Sequence, residues 1–367
     1  MRFFVTEMTR PTPKISIAQA QGFLLARSGL LKPQKSSAAS VAALIKRLGG
    51  IRGERMEWVH ASLAARLEGY TGDHLDLCLF KDKSLLRLWG VRGAELIVHR
   101  DDTETQVGAC AGEAQIWGRF LDANTSIDSG RRREIVATLM PGPFSRSDVT
   151  RKLERYLHLT GKAPPSNVYQ TIIKEAAARG VVVWCGGEGT SARYCSTQSW
   201  IGQTLNAKTD NKRLLEIYLA AFGPAPLSEA ASVLGLTQPA TRNALAELEA
   251  VEVEIEGGRP GWVLPGDLAQ LKKAPSPQDA PAFALPEQDP LLTAWPSRER
   301  FGPGLTQLAS SSEAAGTVWI EGKVVATWRR EGDVAEVRPI GRSTPAPRQL
   351  AAAFAQGEPL LRPRLVR

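Results

Sequence analysis

The sequence feature that most constrains the fold is a run of three helices followed by a β-hairpin between residues 210 and 264. Apolar residues recur at helical spacing in Asn211–Phe222, and Gly223-Pro224 follows, as expected just beyond a helix end. The remaining elements predicted there are two shorter helices and two strands: Ser228–Leu234, Thr237–Glu249, Val251–Ile255 and Trp262–Leu264. This order is typical of a winged helix-turn-helix module.

The same order occurs one module earlier, and a looser version comes first in the chain. The phrase Pro143-Phe-Ser145 recurs 83 residues later as Pro226-Leu-Ser228, each time at the start of a second helix. The elements predicted for the middle module are Arg131–Met140, Ser145–Leu159, a helix from Ser166 or Asn167 to Gly180, Val181–Trp184 and Ala192–Cys195. Those predicted for the first module include Ile17–Leu31, Ser40–Leu48 and Glu95–Val98. The repetition indicates tandem modules.

The predicted fold class is therefore α+β and mostly helical, with tandem winged helix-turn-helix modules and a C-terminal β-rich subdomain. The last part is β-rich because Thr317–Ile320, Val324–Trp328 and Val334–Ile340 have strand-like patterns. A proline-rich stretch, 272–281, is predicted to be a linker. The expected domains are residues 1–125, 126–205, 206–272 and 273–367.

Composition excludes several classes of protein. Hydrophobic residues make up 43% of the 367 residues and charged residues 23%, so the chain is not disordered as a whole. No apolar run approaches the roughly 20 residues needed to span a bilayer, and we expect a soluble, cytoplasmic protein without membrane contact. Its four Cys and four His show no paired spacing. We therefore expect no metal site, no cofactor and no disulfide framework.

The charge is unevenly distributed along the chain. Residues 1–205 contain 28 basic and 19 acidic residues, whereas residues 206–367 contain 18 and 19. A polyanion is therefore expected to contact the first half. An excess of this size is also common on soluble surfaces, so the charge alone does not decide for nucleic acid.

Several local phrases, in their order along the chain, resemble one family. They are Arg47-Leu-Gly-Gly-Ile51, Ala64-Ala-Arg-Leu-Glu-Gly-Tyr70, Val91-Arg-Gly93, Asp289-Pro-Leu-Leu292 and Gly322-Lys-Val-Val-Ala-Thr-Trp-Arg329. Together with the tandem modules, they resemble the AlkZ/YcaQ-like winged-helix DNA glycosylases, which excise alkylated purines and unhook interstrand crosslinks. The resemblance covers roughly residues 15–345 and implies a DNA-binding repair protein.

The resemblance also implies a catalytic position, from which this chain departs. The family places Gln, an apolar residue and then Gln or Asp after the Leu-Gly-Gly phrase, where this chain has Arg52, Gly53 and Glu54. Glu54 is the candidate for positioning the attacking water, and Arg52 would pair with Glu54, repel a cationic lesion or hold a phosphate. A second departure is Ala94-Glu-Leu96, where the family often has Thr-x-His. The alternative is a solvated charged turn without catalytic function.

Candidate DNA contacts fall into two groups. The third helix of the middle module is predicted to expose Asn167, Tyr169, Gln170 and Lys174, of which Asn and Gln read bases and Lys binds phosphate. The alternative for this helix is internal packing with a polar outer face. Individual phosphate contacts are predicted at five arginines: Arg55, Arg92, Arg298, Arg300 and Arg329.

Three functional hypotheses follow from these observations. The first is a DNA-repair protein that acts on alkylated or crosslinked double-stranded DNA, with monofunctional glycosylase activity left open. The second is a non-catalytic binder of damaged or distorted DNA. The third is a winged-helix transcriptional regulator. Because several modules are repeated in one chain and no heptad segment offers a dimer zipper, we expect a monomer, which favours repair over regulation.

Overall fold

A computed structural model of the protein describes residues 11–158, 167–188, 191–294, 315–341, 344–357 and 361–366. The α-helices are α1 (Ile17–Arg27), α2 (Ala38–Arg47), α3 (Met56–Ala64), α4 (Gly72–Asp76), α5 (Thr103–Gly108), α6 (Ala111–Asn124), α7 (Ser129–Leu139), α8 (Arg146–His158), α9 (Asn167–Ala178), α10 (Thr197–Ile201), α11 (Asn211–Phe222), α12 (Leu227–Leu234), α13 (Gln238–Glu247), α14 (Leu268–Lys272), α15 (Pro290–Thr293) and α16 (Pro347–Gly357). Across these ranges no helix has both the length and the apolar character needed to cross a bilayer.

The strands are β1 (Lys14–Ile15), β2 (Gln34–Lys35), β3 (Ile51–Arg52), β4 (Leu67–Glu68), β5 (Leu85–Trp89), β6 (Glu95–His99), β7 (Phe144–Ser145), β8 (Val182–Gly186), β9 (Arg193–Ser196), β10 (Val251–Ile255), β11 (Arg259–Val263), β12 (Phe283–Leu285), β13 (Gly316–Ile320), β14 (Lys323–Glu331), β15 (Val334–Pro339) and β16 (Arg362–Leu365). The molecule is thus α+β, as predicted.

The three helices and hairpin predicted for residues 210–264 are confirmed as α11, α12, α13, β10 and β11. Local chemistry explains the agreement. The side chain of Asp210 accepts a hydrogen bond from the Arg213 amide at the start of α11, and that of Thr237 accepts one from Ala240 at the start of α13. Gly235 ends α12 with φ of +67°, a left-handed conformation that favours glycine.

One six-stranded sheet joins the first two predicted modules. Its strand order is β3-β6-β5-β8-β9-β7. The central joint is the pairing of β5 with β8, where Arg87 lies opposite Trp184. The sheet therefore crosses the expected boundary at 125/126. It also places β3, the strand that leads into the candidate turn, at one of its edges.

The other parts of the chain are similarly interlocked. Strand β1 pairs in parallel with β10, so the N-terminal segment extends the hairpin of the third predicted module. The predicted linker at 272–281 packs against α1, where a Cβ on Gly22 would lie 1.8 Å from the carbonyl oxygen of Pro275. Strands β12 to β16 form a five-stranded sheet that α16 covers, and α16 also contacts α3.

A buried ion pair connects two of the phrases that carried the resemblance. Arg66, two residues after α3, donates two hydrogen bonds to Asp289, at 2.7 and 2.8 Å, and both side chains are fully buried. Asp289 also accepts hydrogen bonds from the Ser62 hydroxyl and, as the N-cap of α15, from the Leu291 amide. The ion pair fixes the C-terminal end of α3 against the start of α15.

Candidate functional site

The backbone on both sides of Glu54 is held in place. Ile51 and Arg52 pair with Ile97 and Leu96 of β6, and the Gly53 amide donates a hydrogen bond of 2.8 Å to the Glu95 carbonyl. Helix α3 begins two residues after Glu54. The candidate turn, residues 52–54, is therefore fixed between a sheet edge and a helix start.

Arg52 and Glu54 form an ion pair across this turn. The Nη2 atom of Arg52 lies 2.8 Å from Oε1 of Glu54, and its Nε lies 3.4 Å from Oε2. The Glu54 side chain is 32% exposed and that of Arg52 37%, so solvent reaches both groups. Arg52 also borders an apolar pocket of about 100 Å³ between α11, α12 and α15. Of the roles the sequence left open for Arg52, the structure shows the pairing with Glu54.

A second ion pair lies directly behind the turn. Arg87 donates from Nε to the Glu95 carboxylate, and the two side chains are only 3% and 17% exposed. The Arg87 guanidinium lies over the Trp184 ring, 4.3 Å from its centroid. A Cβ on Gly53 would lie 3.4 Å from Arg87 Nε. The absence of a side chain at Gly53 thus lets Arg87 approach the turn closely.

Glu95 and Glu54 are electrostatically coupled. Burial raises the pKa of Glu95 above its ordinary value, the charge of Arg87 opposes that rise, and the negative charge of Glu54 adds to it. Arg146, at the start of α8, also acts to lower this pKa. The site therefore holds two carboxylates in different environments, Glu54 in contact with solvent and Glu95 mostly buried.

Two of the predicted phosphate contacts come together in a cleft of about 430 Å³. Arg55 reaches it from the start of α3 and Arg329 from β14, although 274 residues separate them in sequence. The other side chains that border this basic cleft are Glu57, Trp58, Pro286, Glu287, Trp328 and Arg330. Arg55 also pairs with Glu57 and lies 4.9 Å from the centre of the Trp58 ring. Because Arg55 follows Glu54, the basic cleft begins next to the candidate turn.

Arg92 lies elsewhere. It occupies the Val91–Gly93 turn with φ of +56° and donates a hydrogen bond of 3.0 Å to the Ser232 carbonyl of α12. Its aliphatic stem packs close to Gly235, where a Cβ would lie 3.2 Å from Arg92 Cγ. The observed contacts of Arg92 thus connect the first and third predicted modules.

Helix α9 exposes three of the four residues predicted on its outer face. Asn167, Gln170 and Lys174 are exposed at helical spacing. Tyr169 is only 4% exposed and packs in the core of its module, so its predicted exposure is wrong. It joins Val168, Ile172 and Ile173 on the buried face of α9. Arg298 and Arg300 lie outside the described residues.

Sequence reasoning missed the Arg87–Glu95 pair. A signal existed, because Arg87 is the only charged residue in the apolar strand Leu85–Trp89, and such a residue needs a partner when buried. Its partner could not be chosen from the sequence. Among the described residues, no group of three or more His, Cys, Asp or Glu side chains is arranged to hold a metal ion.

Comparisons with known proteins identify a family and a similar fold. A family model described as DNA glycosylase AlkZ-like matches residues 45–361 of the chain. Among solved structures, the chain is similar to the Streptomyces sahachiroi DNA glycosylase AlkZ, with a TM-score of 0.78 and 20% sequence identity. That match covers 96% of this chain and 100% of the other. A search of curated protein sequences finds no match. At 20% identity the structural likeness concerns the fold.

Proposed function

The chain belongs to the AlkZ-like DNA glycosylase family, and on this premise we propose that it repairs duplex DNA by hydrolysing the N-glycosidic bond of alkylated purines. Unhooking of a crosslink breaks the same bond. The observation that carries the proposal is the placement of Glu54. Its carboxylate lies on a turn fixed by β6 and α3, is open to solvent and directly precedes Arg55, which lines the basic cleft.

Hydrolysis of this bond requires little more from the protein than a positioned carboxylate. A water oxygen attacks C1′ of the deoxyribose while the bond from C1′ to the purine nitrogen breaks and the base leaves with its electrons. Glu54 accepts the proton of the water and stabilises the positive charge that develops on the sugar. A cationic alkylpurine leaves as a neutral base, so no acid needs to protonate it. General-base assistance of this kind is worth about 10²–10⁴-fold in rate.

The surroundings of Glu54 fit a DNA backbone. Arg55, Arg329 and Arg330 border the basic cleft, and guanidinium groups bind phosphate oxygens in a planar, bidentate manner. Contacts to phosphates set the register of a protein on the duplex without reading sequence. The exposed face of α9, with Asn167, Gln170 and Lys174, offers a second surface for the duplex.

The Arg52–Glu54 ion pair favours a second candidate, a non-catalytic binder of damaged DNA. Arg52 approaches both oxygens of the Glu54 carboxylate. A water-positioning base needs these oxygens to bind the water and to stabilise the sugar. Catalysis therefore requires Arg52 to turn away when DNA binds, for example towards a phosphate. If Arg52 does not move, the same fold binds DNA without hydrolysing it.

The deciding experiment is incubation with a duplex that carries one N7-alkylguanine, followed by an assay for abasic sites. Glu54→Gln should lower excision by about two orders of magnitude or more while DNA affinity stays within a few-fold. Glu68→Gln, which changes an exposed carboxylate on β4, is the matched control and should excise as the wild type does. Excision at the wild-type rate by Glu54→Gln would contradict the assignment of this residue.

Arg52→Gln separates the two candidate functions. If the only role of Arg52 is its ion pair with Glu54, the substitution frees the Glu54 carboxylate and the rate of excision should rise. If Arg52 turns to a phosphate, the substitution should weaken DNA binding and reduce its salt dependence by about one phosphate equivalent. If neither the wild type nor Arg52→Gln excises any of several alkylated bases while both bind DNA, the non-catalytic function is correct.

A further inference from the structure

A second charged cleft lies between the end of α2 and the side of α11. It has a volume of about 230 Å³, several times the roughly 30 Å³ that one water occupies in the liquid. Six charged side chains border it: Arg27, Lys46, Arg47, Asp102, Arg213 and Glu216. We call it the α2–α11 cleft. It is lined by different residues from the basic cleft beside Glu54 and has no assigned role.

Three of the four cations that line the α2–α11 cleft are paired with carboxylates. Arg27 donates to Asp267 and, at 2.7 Å, to the Ala220 carbonyl. Lys46 pairs with Asp101. Arg213 pairs with two carboxylates. Its two terminal nitrogens each lie 2.8 Å from a carboxylate oxygen, one of Asp102 and one of Glu216. Each of these three cations is therefore paired with at least one carboxylate of the fold.

Arg47 is the exception. Among the described residues, no carboxylate pairs with Arg47, and its Nε atom is buried without a hydrogen-bond partner. Burial lowers the pKa of Arg47, and the positive charges of Arg66 and Arg27 lower it further. An arginine nevertheless stays protonated in proteins, so the charge persists. A partly desolvated cation that has no paired carboxylate destabilises the fold unless an anion compensates it.

We propose that the α2–α11 cleft is a phosphate-binding site in which Arg47 is the principal ligand. A phosphate supplies the missing negative charge and accepts hydrogen bonds from the guanidinium fork of Arg47, with Lys46 and Arg213 at the rim as further donors. Asp102 and Glu216 are both bound to Arg213, and neither is paired with Arg47. The phosphate is either part of a DNA backbone or a free inorganic or nucleotide phosphate. The free-phosphate case does not depend on glycosylase activity.

The first test measures thermal unfolding of the full-length protein with inorganic phosphate, against sodium chloride at the same ionic strength. Phosphate should raise the Tm of the wild type, and Arg47→Met should lose this response, which corresponds to a phosphate affinity at least tenfold lower. Without phosphate, Arg47→Met should be at least as stable as the wild type, because the substitution removes a positive charge that Arg66 and Arg27 repel. Arg47→Lys keeps the charge without the bidentate fork and should show an intermediate response, even if Arg47→Met folds poorly.

The second test identifies the source of the phosphate by measuring affinity for an undamaged duplex between about 50 and 200 mM salt. Lys212→Met, an exposed cation on α11 outside the cleft, is the matched control. If the phosphate belongs to DNA, Arg47→Met should reduce the slope of log affinity against log salt by about 0.9, and Lys212→Met should not. If only the response to inorganic phosphate is lost, the ligand is a free phosphate. If phosphate does not stabilise the wild type and Arg47→Met binds DNA as Lys212→Met does, the proposal is wrong.

Discussion

Glu95 is a mostly buried carboxylate beside the candidate turn, and its pKa lies above the ordinary value of 4.5 because burial outweighs the attraction of Arg87. A raised pKa means that the folded protein binds this proton more tightly than the unfolded chain does. The group therefore contributes stability below the unfolded pKa near 4.5, and that contribution is lost as pH rises through the folded pKa.

We expect this loss to be visible against Glu95→Gln, which cannot ionise. The free energy of unfolding of the wild type minus that of Glu95→Gln should decrease between pH 4 and pH 8, whatever its value at pH 4. Urea denaturation at intervals of one pH unit measures it. Glu54→Gln should diminish the decrease, since the charge of Glu54 contributes to raising the pKa of Glu95. A difference that grows in favour of the wild type as pH rises would show that Arg87 dominates instead.

The local part of the candidate site could be predicted from sequence, and the rest could not. Arg52 and Glu54 are two residues apart in one turn, so their pairing was among the expected outcomes. Arg87 and Glu95 meet because β5 and β6 are adjacent antiparallel strands, which depends on register. Tyr169 was misplaced because the buried face of α9 is decided by the helices and strands that pack on it.

The same distinction holds for whole elements. Helices α11 and α13 could be predicted closely because their capping residues lie in the sequence next to them. Helix α6 was missed, since only Ala114, Gly118 and Leu121 are buried and the apolar pattern is weak. The sheet that joins the first two predicted modules depends on the pairing of Arg87 in β5 with Trp184 in β8, 97 residues later in the chain, which leaves no local signal.

The junction of α3 with α15 gives a stability prediction. Asp289→Asn removes the charge that compensates the fully buried Arg66, and breaking one side of a buried ion pair costs about 3–5 kcal/mol. Glu134→Gln, which breaks the exposed pair of Glu134 with Arg131, makes the same change of charge and should cost far less, because solvent screens an exposed pair. Chemical denaturation of both variants measures the two losses. Equal losses would mean that the Arg66–Asp289 pair does not hold the two elements together.

Across the molecule, the distribution of charge along the sequence and the position of the basic cleft predict different locations for bound DNA. The excess of basic residues falls in residues 1–205. The basic cleft, however, combines Arg55 from that half with Arg329 and Arg330 from the C-terminal sheet. Because strands and helices from distant parts of the chain interlock, a fragment of residues 1–205 would lack one wall of the basic cleft. Substitutions in the full-length protein are therefore the appropriate test.

The expected path of DNA through the basic cleft can be measured by salt dependence. Arg55→Gln combined with Arg329→Gln should reduce the slope of log affinity against log salt by about 1.8, since each neutralised phosphate contributes about 0.9. The loss should be the same for alkylated and undamaged duplexes, because phosphate contacts carry no sequence information. Lys323→Gln, on the same strand as Arg329 but outside the cleft, should leave the slope unchanged. If the slope instead falls only in Lys174→Gln, the duplex lies on the exposed face of α9, and the basic cleft serves another purpose.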